Sequence, residues 1–114
     1  MSVTGVHALI YTPAADELRT LLTDAFGFSH VDAGEGWLIF ALPPAELGIH
    51  PGSEPRSELS LMCDDIESTM TDLRAKGVEF DGAPEERRWG AAVSMTLPGG
   101  VEMRLYQPRH PTAH

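Results

Sequence analysis

One cysteine, Cys63, stands in the 114 residues of this sequence. An internal disulfide is therefore excluded, and so is a zinc site built from several thiolates. Basic residues are also scarce. Eight Lys and Arg face 17 Asp and Glu, for a formal net charge of −9. Such a surface repels phosphate backbones, so no nucleic-acid partner is expected. No apolar run reaches the ~18 residues of a membrane span, and the N-terminus lacks a basic-then-apolar export pattern, so no membrane partner is expected either. What remains is an ordinary globular composition, 42% hydrophobic and 22% charged. It reads as one cytoplasmic domain over residues 1–114. A chain this short gains core by pairing, which points to a homodimer.

Residues 5–11, "GVHALIY", alternate in a way that predicts a strand carrying His7. The run "TPAADELRTLLTDAFGF" predicts a helix, with Thr12 as its cap and Pro13 at its first position. Leu18, Leu21, Leu22, Ala25 and Phe26 fall on one face, and Gly27 terminates it. "GWLIFALPP" predicts a near-continuous apolar strand, and "ELGIHP" a short strand ending in His50. "PGSEPRS" reads as a loop between two halves.

The second half repeats the order. "ELSLMCDD" predicts a strand with Glu58, Ser60 and Met62 on one face. A helix follows, capped by a box of Asp64 and Glu67, with Ile66, Met70 and Leu73 as its apolar stripe and Gly77 at its end. "PEERRWG" reads as a solvated turn. "WGAAVSMTLPGG" and "VEMRLYQP" predict two strands joined by a Gly-Gly turn, and the tail "QPRHPTAH" reads as flexible. His7 and Glu58, Gly27 and Gly77, and Trp37 and Trp89 recur about fifty residues apart, as do Leu42-Pro43 and Leu97-Pro98. A period near fifty with two copies predicts α+β architecture. Two pseudo-symmetric β-α-β-β-β modules, about 1–52 and 56–108, would form a curved mixed sheet around a cleft.

The stretches "VHALIYTPAADELRTLLTDAFGF", "ELSLMCDDIESTMTDLRAKGVEF" and "LPGGVEMRLYQPRHP" together cover most of the chain. They resemble the vicinal oxygen chelate superfamily, which includes glyoxalases, bleomycin-resistance proteins and extradiol dioxygenases. The resemblance implies metal ligands on the first and last strand of each module. Carried onto this sequence, those positions are His7 and Glu58 on the first strands, His50 on the last strand of module one, and Glu102 or Arg104 on the last strand of module two. Two imidazoles and two carboxylates suit zinc, nickel, iron(II) or manganese(II). Such an ion would polarise an oxygenated substrate, with Glu58 and Glu102 as proton carriers.

The sequence departs from that pattern. Glu58 stands where glyoxalase-type members carry histidine. By the repeat, His50 matches Arg104 rather than Glu102, and an arginine there would put a guanidinium in the metal's place.

Two readings follow. One is a metal-dependent lyase or dioxygenase using His7, His50, Glu58 and Glu102. The other is a metal-free protein that sequesters a hydrophobic antibiotic or natural product. In that case Trp37, Phe40, Met62, Trp89 and Tyr106 would line the cleft, and Glu58 and Arg104 would fix the polar edge of the ligand.

Overall fold

The computed structural model describes residues 7–46, 48, 51 and 53–113. Its architecture is α+β. The order of elements is α1 (Ala15–Asp24), β1 (His30–Asp32), β2 (Leu38–Phe40), β3 (Ser60–Met62), α2 (Ile66–Ala75), β4 (Glu79–Phe80), β5 (Glu85–Arg87), β6 (Gly90–Leu97) and β7 (Val101–Pro108). β1 and β2 form an antiparallel pair. The other five strands form a mixed sheet in the order β3-β7-β6-β4, with β5 also on β6. β3 runs parallel to β7, and the remaining pairs are antiparallel. Among the described residues, no helix is long and apolar enough to cross a membrane.

Alternation along β6 and β7 sorts their side chains onto two faces. Ala91, Val93, Met95 and Leu97 of β6, with Met103 and Leu105 of β7, are buried. They pack with Ile66, Met70 and Leu73 from α2 and with Leu18 and Ala25 from α1. The apolar stripes expected of both helices are thus the faces that meet the sheet. Met70 and Met95 are essentially inaccessible, and burial of a side chain of this size contributes about 1.5–3 kcal/mol. The opposite face carries Glu102, Arg104 and Tyr106 from β7, with Ser60 and Met62 from β3.

Both helices are ten residues long and start 51 positions apart. Each ends before a glycine in the left-handed region, Gly27 at φ 70° and Gly77 at φ 93°. Their caps differ from expectation. Asp65, not Asp64, caps α2, and its carboxylate accepts the Ser68 amide at 3.2 Å. Asp65 has the extended backbone that lets the carboxylate reach back to the third amide of the helix. Thr12 is not the cap of α1, which begins after Ala14 without a side-chain cap. Its hydroxyl instead accepts the Ala14 amide at 3.2 Å and donates to the Pro98 carbonyl at 3.0 Å. It ties the start of α1 to the β6–β7 turn.

That turn approaches so closely that a Cβ on Gly99 would lie 1.7 Å from the Thr12 hydroxyl oxygen, and Gly99 has φ +82°. Glycine is required there on both counts.

Several strand expectations change. Residues 7–11 form no strand, and residues 5 and 6 lie outside the described residues. The apolar run after Gly36 pairs only over Leu38–Phe40. Pro43 and Pro44 follow, and they lack the amide hydrogens a ladder needs. The expected strand at "ELGIHP" ends in His50, which lies outside the described residues. Conversely, the charged run at 85–87, read as a turn, pairs with Gly90–Ala92 as β5. His30–Asp32 form β1, which the polar composition concealed.

Candidate ligand-binding face

Register builds the site on the open face of the five-stranded sheet. Arg104 on β7 lies beside Ser60 of β3 on one side and Ser94 of β6 on the other. The next row is Met62, Tyr106 and Ala92, and Glu102 pairs with Thr96. Glu58 precedes β3 by two residues, on the side of Ser60. Ser60, Ser94, Glu58, Glu102 and Arg104 together line a groove of about 330 Å³. Three of the residues expected at a functional centre, Glu58, Glu102 and Arg104, therefore meet.

The charges are not those of an open cation site. Glu58 is ion-paired with Arg56. The Arg56 hydrogen bond and charge, with a smaller contribution from Arg104, hold the Glu58 carboxyl below its ordinary range. Arg104 has no ion pair among the described residues. Its guanidinium lies 5.7 Å from the Trp89 ring, and Trp89 meets Tyr106 edge-on at 5.6 Å. Arginine packed on an indole keeps its five donors in one plane and free for an oxygen-bearing ligand. The row continues from Tyr106, whose hydroxyl lies 2.6 Å from His110 Nε2. Burial, and then the charge of Glu46, push the Tyr106 phenol upward.

The remaining candidates stand elsewhere. His7 is exposed in an irregular segment, and His50 lies outside the described residues. Trp37 and Phe40 belong to the β1–β2 hairpin region, where Phe40 meets the His30 ring at 5.3 Å. No hydrogen bond or ring contact among the described residues joins either to Arg104. Met62 lines a second pocket of about 280 Å³, with Glu46, Cys63, Asp64 and Pro108. Burial raises the Cys63 thiol, and its Sγ donates to the Tyr106 carbonyl at 3.7 Å. It is a packed thiol.

Among the described residues, no three His, Cys, Asp or Glu side chains are grouped to hold a metal ion. Among the described residues the groove offers two carboxylates, and the guanidiniums of Arg56 and Arg104 beside them oppose the charge of a divalent cation there. Sequence reasoning missed Glu46 and His110. They are 64 positions apart, and no local pattern links them.

No protein-family model and no curated protein sequence matches the chain. Solved structures do resemble it. An antibiotic-binding protein, TnmS3, from Streptomyces sp. CB03234 aligns at TM-score 0.69 and 24% identity, covering 95% of this chain and 98% of the other. A glyoxalase/bleomycin resistance protein/dioxygenase superfamily member from Sphaerobacter thermophilus DSM 20745 aligns at TM-score 0.64 and 24% identity, covering 92% and 98%. A lactoylglutathione lyase from Agrobacterium tumefaciens aligns at TM-score 0.67 and 13% identity, covering 93% and 94%. The fold is that of the glyoxalase/bleomycin resistance protein/dioxygenase superfamily, as the sequence resemblance implied.

Proposed function

We propose that this chain, with the fold of a superfamily holding both enzymes and binders, is a metal-free binding protein for an aromatic, oxygen-bearing small molecule. The observation that carries this reading is Arg104. It sits at the centre of the open sheet face, flanked by Ser60 and Ser94 and packed on Trp89. A planar ligand would stack on one of the two rings, Trp89 or Tyr106, and meet the other edge-on, while Arg104 donates to its oxygens. Antibiotic binding by the structurally similar TnmS3 supports the binding of a small molecule. The test is tryptophan-fluorescence titration of chelator-treated protein with anthraquinone-2-sulfonate, a planar aromatic anion. Saturable quenching that weakens about tenfold or more in Arg104→Ala is expected, the usual loss when a charged hydrogen bond is removed. Equal binding by the variant refutes the role of Arg104.

A metal-dependent lyase or dioxygenase is the second reading, favoured by Glu58 and Glu102 lining one groove. Under it, zinc, nickel, iron(II) or manganese(II) binds one-to-one, and His7→Ala or His50→Ala abolishes binding. Under the first reading calorimetry shows no such isotherm.

The two modules, about 1–52 and 56–108, are read as one domain. The paired helices and their glycine stops support that reading, as does a core drawn from both halves. We also read the protein as a cytoplasmic homodimer. Leu9, Ile10 and Tyr11, consecutive and apolar, are exposed. Covering them suits a second copy, and sedimentation equilibrium reads the assembly directly.

A further inference from the structure

The run after β7, expected to be flexible, is instead fastened at several points. The Arg109 amide donates to the Trp89 carbonyl at 2.9 Å, and its guanidinium pairs with Glu86. His110 Nδ1 lies 2.8 Å from the Pro111 carbonyl oxygen, which assigns the ring proton to Nδ1. Nε2 is then the acceptor for the Tyr106 hydroxyl at 2.6 Å. Glu46, from the first half of the chain, holds the segment from the other side. Its Oε2 accepts the Ala113 amide at 2.7 Å, and its Oε1 lies 3.9 Å from His110 Nε2. Thr112 completes the wall of the pocket beside Met62 and Pro108.

We propose that residues 110–113 form a latch, pinned by Glu46, that covers the Tyr106 end of the ligand face and must release for a ligand to stack there. The row of contacts Arg104–Trp89–Tyr106 ends on the His110 ring, whose centroid is 5.9 Å from that of Tyr106. While His110 holds this place, a ligand cannot occupy that side of the Tyr106 ring. The gating role rests on the ligand reading above, whereas the docking of the tail does not.

Two measurements on the full chain separate these. The protein has two tyrosines, so Tyr11→Phe leaves Tyr106 as the sole phenolic chromophore. In that background, ultraviolet titration of Tyr106 gives a lower midpoint after Glu46→Ala, and a lower one again after deletion of 110–114, because burial and the Glu46 charge both raise it. Hydrogen exchange of the Ala113 amide accelerates in Glu46→Ala. An unmoved midpoint in both variants, or an unprotected Ala113 amide in the parent, overturns the latch. Stopped-flow association of anthraquinone-2-sulfonate then tests gating. Deletion of 110–114 accelerates it about threefold or more, as removal of a closed population does. An unchanged rate overturns gating. Absence of any binding in both proteins refutes the ligand reading and with it gating, and the tyrosine titration still decides the docking.

Discussion

Replacing Gly99 with alanine tests how the two halves of the chain are joined. Gly99 has φ +82°, and a Cβ there would lie 1.7 Å from Thr12 Oγ1 and 3.2 Å from the Ala14 nitrogen. The left-handed backbone alone costs about 1–2 kcal/mol for a residue with a Cβ. The clash forces Thr12 to withdraw, which breaks its bonds to Pro98 and Ala14, each worth about 0.5–1.5 kcal/mol. Gly99→Ala should therefore destabilise by about 2–5 kcal/mol, a large share of the about 5–15 kcal/mol typical of a domain.

Gly100 is the internal control. It has φ +78° with nothing near its Cβ position, so Gly100→Ala should cost only the backbone part, about 1–2 kcal/mol. Urea unfolding with matched slopes measures both. In a Thr12→Ala background the hydroxyl is gone, and Gly99→Ala should cost less than in the parent. Equal losses for the two glycine variants, or strict additivity of Thr12→Ala with Gly99→Ala, refute the proposed contact.

Further outcomes follow from the same structure. Asp65→Ala should cost about 1 kcal/mol by loss of the α2 cap, and Asp64→Ala much less; urea midpoints distinguish the two. Met95→Ala, which empties a site with 0% exposure, should cost about 2–5 kcal/mol, again read from urea unfolding. The Glu58 carboxyl is held low in the folded chain by Arg56 first and Arg104 last. Its small contribution is present above the ordinary carboxylate value and is lost as pH falls through the lowered folded value. By NMR titration Arg56→Ala should raise the Glu58 midpoint more than Arg104→Ala does. The raised Cys63 thiol should react with a disulfide reagent more slowly than free cysteine, and faster as pH increases.

The legible parts of the fold were those where periodicity and burial coincide. The stripe Ile66–Met70–Leu73 and the alternation of Ala91, Val93, Met95 and Leu97 both face the core, so pattern alone placed α2 and β6. Gly27 and Gly77 marked the helix ends because a left-handed backbone favours glycine. β1 and β5 were hidden because His30–Asp32 and Glu85–Arg87 are exposed on both sides and therefore carry no apolar alternation. Residues 7–11 show the converse. Their alternation reads as a strand, yet it cannot say whether a partner strand is present.

That the candidates Glu58, Glu102 and Arg104 would come together was legible through the repeat and the resemblance, because register on β7 follows from the Gly-Gly turn, and the three line one groove. That Glu46 and His110 would meet was not. Their meeting depends on how two irregular segments cross, and no sequence period encodes that.

Whether the Arg104 face binds small molecules without a metal is decided most directly by one titration. Anthraquinone-2-sulfonate is added to chelator-treated protein and to its Arg104→Ala variant, with tryptophan emission as the readout. Saturable quenching without added metal, weakened about tenfold or more in the variant, is the predicted result. Binding that appears only when a divalent ion is restored, or that is indifferent to Arg104, would contradict it.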